Sequence, residues 1–525
     1  MGVIELVLLG LGAVIALATL AQTLDIPYPI LLVLGGLVLG FVPGLPKVSL
    51  DPNVLFLLFI PPLVFSSAWF TSWRDFRANL RPIVLLATGL VLLTTAAVAA
   101  VAHLLIGGIP WAAAFVLGAI VASTDSVAAT AIAERAGLPR RVLTILEGES
   151  LVNDAASLVA YRVAVAATVG GSFSLGGTAL QFPLAAAGGV AVGVTVALLA
   201  EWVQRHLHNP PVEITLTLVV PFAAYIPADH LGASGVLAVV AAGILLGRHE
   251  VEIRSTRTRL ETDAFWNTLV FLLNGLIFCL LGLQLHSILT TVSDRPALQL
   301  IGYAAATIAV VVLVRLAWMF PATYIPLWLS RRLRQQETYP PWKRSTIIGW
   351  AGMRGAGTMV IALALPTAID RGGPFPDRAL IVFLTFCVIL ATLVLQGLSL
   401  PSVIRAVGLQ GDDGDAREAA TARVAASQAA VAHLGSMQGT AGAPEGVAEG
   451  LRTLHQRRAG RFAARARGER DEEAEGRAEA TLRLRVELVE AERRAIIAMR
   501  NRGEIGDAAL REVLRDLDLE QRQIE

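Results

Sequence analysis

Long apolar runs alternate with short polar segments along residues 1–405, and a segment rich in Arg, Glu and Ala follows from residue 411. A membrane-spanning helix needs about 20 mainly apolar residues. Counting on that basis predicts about thirteen spans, at roughly 3–21, 30–46, 53–70, 82–106, 111–133, 142–169, 181–204, 212–228, 231–247, 264–289, 297–329, 345–368 and 379–404. Only the turn from Pro227 to His230 separates the eighth span from the ninth. The pattern predicts an all-α polytopic membrane protein.

Composition agrees with this prediction and narrows the classes of function. Of the 525 residues, 55% are hydrophobic, with a mean hydropathy of +0.63, which is too apolar for an ordinary soluble protein. A net charge of +1 gives no reason to expect a nucleic-acid partner. Cys279 and Cys387 fall in apolar segments without disulfide or metal spacing, and we expect no cofactor.

The charges of the predicted loops indicate an orientation. With the N-terminus outside, the inner loops carry sixteen Lys and Arg residues and the outer loops carry four. Positively charged loops stay on the cytoplasmic side. We therefore predict a multi-pass protein of the plasma or inner membrane, with the N-terminus outside and the tail in the cytoplasm.

Two spans carry residues that would interrupt a helix near its middle. The fifth span contains Ser123, Thr124, Asp125 and Ser126, and the twelfth contains Gly349, Gly352, Gly355 and Gly357 around Arg354. Paired interruptions in corresponding spans are typical of transporters built from inverted repeats. Spans 1–6 and 8–13 would form the two six-helix repeats, with broken helices crossing between them. The alternative is that the glycines only allow close helix packing.

The Asn153–Asp154 pair stands inside the apolar sixth span. A carboxylate placed there costs about 2.5–3.5 kcal/mol on insertion scales, and such groups usually mark an ion or proton path. Glu147, Ser150 and Asp154 share one helical stripe, while Glu149 and Asn153 share the next. Hard oxygen ligands on the first stripe would suit a small cation.

Residues of other spans would complete this site. Asp125 and Thr124 from the fifth span are expected to approach Asp154. Arg354 needs a buried partner, and we predict a structural ion pair between Glu149 and Arg354. For Glu147 an interfacial position is the alternative, and for Asp154 and Asp125 a structural hydrogen bond. Weaker polar positions are expected to serve packing, helix ends or a dimer face: His103, Arg162, Asn274, Gln284 and Arg315.

A carboxylate that binds either a cation or a proton, but not both, couples cation transport in one direction to proton transport in the other. Movement of one helix bundle against the other would then carry the site across the membrane. The same residues would also fit an ion channel, which would lack the coupled proton. An intramembrane aspartyl hydrolase is disfavoured because no second Gly-flanked aspartate motif is present. We therefore expect a transporter and not an enzyme.

Several strings resemble the monovalent cation:proton antiporter family of the NhaP and NHE type, in its bacterial form. They are IPPLVFSSAWF, STDSVAATAI, EGESLVNDAASLV, GWAGMRGAGTMVIALALP and LVLQG, and the resemblance covers roughly residues 1–405. It implies a thirteen-helix fold with core and dimer subdomains, a homodimer in membrane lipid, and electroneutral Na⁺/H⁺ exchange. It implies a Na⁺ site at Asp154, Asp125, Ser150 and Thr124, with Asn153 beside it.

The family pattern also implies the Glu149–Arg354 pair, and this sequence departs from the pattern twice. Ser66 and Ser67 stand where many members have an acid, and Ser126 stands where many have Pro. The first departure leaves cation preference open between Na⁺, K⁺ and Li⁺, and a K⁺-selective or broad-specificity exchanger is the alternative. Ser66 could still offer an oxygen.

The tail is predicted to be helical near its end. Residues 406–450 have few large apolar side chains, which favours a flexible or weakly helical linker between a membrane domain, 1–405, and a cytoplasmic region, 451–525. From about residue 478 apolar residues recur at helical spacing, with a break at Asn501 to Gly503. Two amphipathic helices are expected, which would pair within a dimer or cover the inner face.

Overall fold

The structure is a computed structural model that describes residues 3–24, 26–40, 52–170, 175–292, 295–336, 340–370, 372–409, 414–437, 445–467 and 472–524. It divides into two compact units, Met1–Gly411 and Asp412–Glu525. The described residues form helices joined by loops, with one β-bridge between Ala368 and Pro374. The predicted all-α class is therefore confirmed.

The first unit contains seventeen helices in its described part. They are α1 Val3–Thr23, α2 Tyr28–Gly40, α3 Pro52–Phe70, α4 Trp73–Ala78, α5 Leu80–Leu105, α6 Trp111–Ala122, α7 Ser126–Arg135, α8 Arg140–Gly170, α9 Leu175–Gln204, α10 Pro210–His230, α11 Gly235–Ile253, α12 Thr256–Thr291, α13 Ala297–Leu329, α14 Arg331–Gln336, α15 Trp342–Trp350, α16 Ala356–Leu363 and α17 Arg378–Val407.

Seven stretches of the described chain are long and apolar enough to cross a membrane by length and composition. They are Leu80–Leu105, Trp111–Arg135, Pro183–Gln204, Pro210–His230, Thr256–Leu280, Ala297–Leu329 and Arg378–Val407. Three shorter apolar helices join them, at Leu8–Thr23, Tyr28–Gly40 and Phe56–Phe70. The chain is thus a multi-pass membrane protein, while the count of thirteen spans and the inverted repeat stay predictions.

Local sequence explains where several helices begin. Pro210 and Pro211 occupy the first turn of α10, where no backbone donor is needed. Ser234 and Ser255 cap α11 and α12 by accepting from the N–H groups of Leu237 and Thr258, at 3.3 and 3.1 Å.

Small residues bring the helices of this unit close together. Gly36 of α2 lies against the carbonyl of Cys279 on α12, and Gly193 of α9 lies against the carbonyl of Ala238 on α11. Gly118 of α6 packs in the same way on the carbonyl of Thr95 in α5. Because apolar lipid gives helices little reason to associate, such close backbone contacts supply much of the packing energy.

The helices of this unit pack in two sets, one around α8 and one around α10. Helix α8 packs mainly against α5, α6 and α7, whereas α10 packs against α9, α11, α12 and α3. An ion pair joins the two sets, since Arg162 on α8 lies 2.5 Å from Asp229 on α10, with 43% and 44% of their side chains exposed.

The second unit consists of four described helices, α18 Gly414–Ser436, α19 Glu445–Ala466, α20 Glu472–Asn501 and α21 Asp507–Ile524. Helix α18 packs against α19, and α20 packs against α21 around Val489 and Leu517. The segment 406–450, expected to be a flexible or weakly helical linker, contains the 23-residue helix α18. Its high alanine content favours this helix, because Ala is the strongest helix former.

Candidate functional site

The helical stretch Trp111–Arg135 is interrupted at Ser123, Thr124 and Asp125, as the sequence predicts. Ser123 and Asp125 have extended backbones, with φ and ψ of −64° and 136° for the first and −103° and 125° for the second. The Asp125 carboxylate accepts from the N–H of Val127 at 2.8 Å, which caps α7. The break thus frees backbone groups inside the helix bundle.

A second interruption, between α15 and α16, meets the first. The N–H of Asp125 donates to the carbonyl of Met353 at 2.8 Å, so one broken helix is hydrogen-bonded to the other through the backbone. The Cα of Gly355 faces the Asp125 carboxylate so closely that a Cβ there would overlap it. Asp125 therefore holds the two breaks together.

Arg354 lies on the second break and is 1% exposed. Its Nε donates to the carbonyl of Val121 at 3.1 Å, and its Nη1 donates to the carbonyl of Gly352. Its backbone N–H donates to Oγ1 of Thr392 at 3.1 Å. The guanidinium therefore satisfies carbonyl groups that the two interruptions leave without helical partners.

The predicted Glu149–Arg354 ion pair is wrong in its cation. Arg315 of α13 pairs with Glu149 instead: Nη1 donates to Oε1, and Nη2 donates to Oε2 at 2.9 Å. Arg315 also donates to the carbonyls of Gly349 and Ile348, at 3.1 and 3.0 Å. Both charged side chains are almost fully buried, and a bidentate pair offsets much of their desolvation cost.

A hydrogen-bond chain runs from this pair to the Asn-Asp pair. Thr124 Oγ1 donates to Glu149 Oε1 at 3.1 Å, and Asn153 Nδ2 donates to Thr124 Oγ1 at 2.5 Å. Ser150 Oγ donates to the Thr124 carbonyl at 3.1 Å. Helix α8 is thereby fixed to the first break through three side chains, and Asn153 acts as a tether.

Asp154 follows Asn153 on α8, and its carboxylate is the second acidic group of this region of the helix. Ser123 Oγ donates to its Oδ1, and Ser157 Oγ donates to its backbone carbonyl at 3.1 Å. Unlike Glu149, its carboxylate has no arginine partner among the described residues. Carboxylate and hydroxyl oxygens such as these are ligands for hard cations.

Neither of the two accessory candidates is hydrogen-bonded to this cluster in the described chain. Ser66 is 5% exposed on α3, and no hydrogen bond ties its hydroxyl to Asp154 in the described chain. Glu147 is half-buried, and its charged neighbours are Glu134 and Arg140. The interfacial alternative for Glu147 stays a prediction. Within the described ranges, no group of three or more His, Cys, Asp and Glu side chains could hold a metal ion.

The sequence did not indicate two residues of the site, Arg315 and Ser123, as functional candidates. Arg315 is a single arginine within an apolar segment, which is the same signal as Arg354. Ser123 is one of several small polar residues at the first break. The spacing of residues along the chain does not say which hydroxyl faces the carboxylate.

Comparison with known proteins identifies the family. Residues 10–406 match the family described as "Sodium/hydrogen exchanger, transmembrane". The chain is 34% identical over 517 residues to an uncharacterised Na⁺/H⁺ exchanger of Mycobacterium tuberculosis, covering 98% of this chain and 94% of that protein. A sodium, potassium, lithium and rubidium/H⁺ antiporter of Bacillus subtilis is 36% identical over 414 residues, covering 76% of this chain and 61% of that protein.

A solved structure shows the same fold. The chain is similar to the sodium proton antiporter MjNhaP1 from Methanocaldococcus jannaschii with a TM-score of 0.61 and 21% identity, covering 77% of this chain and 98% of that chain. The resemblance drawn from the motifs is confirmed. This chain belongs to the sodium/hydrogen exchanger family of membrane transporters, and it is a transporter rather than an enzyme.

Proposed function

We propose that the protein exchanges Na⁺ for H⁺ at the Asp154 carboxylate by alternating access. The observation that carries this proposal is the position of Asp154, which lies beside the crossing of two interrupted helices with the hydroxyl of Ser123 on its Oδ1. Broken helices at membrane depth are tolerated where they line a cavity, and transporters place their ion sites there.

The proposed cation ligands come from both sides of the crossing. Asp154 and Ser150 lie one helical turn apart on α8, and the Thr124 carbonyl accepts from Ser150 across the break. Asp125 is the second carboxylate of the proposed site, and its Oδ1 also caps α7. The Glu149–Arg315 pair and Asn153 hold these groups in place.

A single alternating carboxylate supports electroneutral exchange. If Asp154 binds one monovalent cation on one side and one proton on the other, each cycle moves no net charge. Arg315 balances the charge of Glu149 in this structure, so Asp154 is the proposed exchanging carboxylate. The exchange rate should therefore not respond to a membrane potential.

Cation choice has two candidates. The M. tuberculosis relative is named for Na⁺ and the B. subtilis relative for Na⁺, K⁺, Li⁺ and Rb⁺. Many members of the family that the motifs resemble have an acid at the position of Ser66, and the serine here leaves the cation preference open towards broader acceptance. Broad specificity for monovalent cations is the second candidate.

The test uses purified protein in proteoliposomes with a pH-sensitive dye. Adding Na⁺ or Li⁺ should move protons with the wild-type chain, and Asp154→Asn should abolish this movement. Asp370→Asn, on the loop after α16, serves as the matched control and should keep full activity. Exchange by Asp154→Asn at the wild-type rate would refute the proposal, and a conductance without proton coupling would indicate a channel. Comparing Na⁺, Li⁺ and K⁺ in the same vesicles decides specificity.

We further propose thirteen spans in two inverted repeats, an N-terminus outside, a cytoplasmic tail and a homodimer in the plasma or inner membrane. The charge bias of the loops supports the orientation. A green fluorescent protein fused after Glu525 should fluoresce in cells, and alkaline phosphatase fused there should be inactive. The opposite result would reverse the orientation, and chemical cross-linking in membranes measures the oligomeric state.

A further inference from the structure

Ser123 contributes a buried hydroxyl to the Asp154 carboxylate. It is the first residue after α6 ends, its backbone is extended, and its side chain is 2% exposed. Its Oγ donates to Oδ1 of Asp154, across 31 positions of sequence. The contact therefore depends on the break, because a continuous helix would carry the next residues away from α8.

The extended segment brings two oxygens into contact with α8, the Ser123 hydroxyl and the Thr124 carbonyl. Thr124 follows Ser123 directly, and its carbonyl accepts from Ser150 Oγ at 3.1 Å. Ser150 in turn lies one helical turn before Asp154 on α8. Both contacts therefore fall on one turn of α8: the Ser123 hydroxyl binds Asp154, and the Thr124 carbonyl binds Ser150.

A serine hydroxyl suits every state of an exchanging carboxylate. It has one O–H donor and two acceptor lone pairs, and the hydrogen can rotate. It can donate to the charged carboxylate, as in this structure, and it can accept from the protonated acid. When a cation lies on Oδ1, the hydroxyl can turn its hydrogen away and offer a lone pair to the cation.

We propose that Ser123 is a cation ligand of the exchange site and sets its affinity for small monovalent cations. This inference rests on the proposed function. The hydroxyl adds an oxygen ligand without adding charge to the site.

The first test is a comparison of transport kinetics in proteoliposomes. Ser123→Ala removes the hydroxyl and should raise the half-saturating Na⁺ concentration about tenfold, as expected for losing a polar contact to a charged group. Ser123→Thr keeps a hydroxyl and should retain most of the wild-type affinity. Ser126→Ala, which removes a hydroxyl from the first turn of α7, is the matched control and should leave the affinity unchanged.

The outcomes separate this inference from the proposed function. If the wild-type chain exchanges Na⁺ and Ser123→Ala has the same half-saturating concentration, the ligand role is wrong while the function stands. If Ser123→Ala lowers only the maximal rate and Ser123→Thr does not restore it, the residue is structural and the inference also fails.

A second test measures binding without transport. In a chain whose Cys279 and Cys387 are replaced by Ala, Ser123→Cys presents a thiol at the site. Na⁺ or Li⁺ should slow its reaction with a methanethiosulfonate reagent, whereas N-methylglucamine at the same ionic strength should not. Equal labelling rates in Na⁺ and N-methylglucamine would overturn the inference.

Discussion

Arg315 shows how one buried side chain can organise a membrane site. Its guanidinium donates to both Glu149 oxygens and to the carbonyls of Ile348 and Gly349. Three helices, α8, α13 and α15, therefore meet at one side chain. Removing a single partner of such a pair leaves a buried charge without compensation.

Arg315→Met should be strongly destabilising for this reason. We expect a loss on the order of 3–5 kcal/mol, because Glu149 would remain buried and charged. The measurement is the thermal midpoint of the detergent-solubilised protein by fluorescence-detected size-exclusion chromatography. Glu149→Gln combined with Arg315→Met should recover part of the loss.

Arg162→Met provides the matched comparison for this variant. Its ion pair with Asp229 is about half exposed, and exposed pairs contribute about 0–1 kcal/mol. Equal thermal midpoints for Arg315→Met and Arg162→Met would contradict the assigned role of Arg315.

The residues of the site were predictable to different extents. Asn153, Asp154 and Glu149 stand out because polar groups in an apolar segment are costly. The partner of Glu149 was not predictable, because Arg315 and Arg354 are both single arginines in apolar segments. Arg354 does not pair with Glu149 because its guanidinium donates to the backbone carbonyls of Val121 and Gly352 at the two breaks.

Two interrupted helices fit together because one of them has a glycine at the closest approach. Gly355 faces the Asp125 carboxylate, and the N–H of Asp125 donates to the carbonyl of Met353. Gly355 has φ of −128°, which other residues adopt without strain. The requirement for glycine here is therefore one of space and not of backbone conformation.

Gly355→Ala should abolish exchange or prevent folding, since its Cβ would overlap the carboxylate that joins the breaks. Gly357→Ala is the control on the same helix, because its Cβ would meet only Ile60 Cδ1, at 3.7 Å. Expression level and Na⁺-dependent proton movement measure both variants. Similar behaviour of the two variants would show that the crossing is looser than the structure indicates.

Sequence patterns located the interruptions but not every irregular turn. Polar residues at 123–126 and glycines at 349–357 gave a clear signal for the two breaks. The π-helical turns Leu85–Leu90 and Thr392–Gln396 gave none, because their residues are ordinary apolar or small ones. Tertiary contacts stabilise them: Trp318 Nε1 donates to the Leu85 carbonyl at 3.2 Å, and Thr392 accepts from Arg354.

For the whole molecule, apolar length predicts most of the helices, including the span 142–169 that corresponds to α8, but a limit on charged residues excludes this helix. Helix α8 is absent from the seven stretches that pass a length and composition criterion, since Glu147, Glu149 and Asp154 lie within it. A helix surrounded by protein can carry charges that lipid would exclude, provided that they are paired or face a cavity. The sequence alone does not show which helices have such protection.

The pair between Arg162 and Asp229 has a consequence for the medium in which the protein works. It joins α8 to α10, which belong to different packing sets, so under the proposed alternating access the rocking of one set against the other would separate the pair. The Debye length falls from about 8 Å at 0.15 M to about 3 Å at 1 M ionic strength, so concentrated salt weakens a partly exposed ion pair. We expect concentrated salt to weaken this ion pair. Turnover at saturating Na⁺ should then rise with added choline chloride in the wild type, and it should not change in Arg162→Ala. An equal response of both proteins would show that the pair does not gate the cycle.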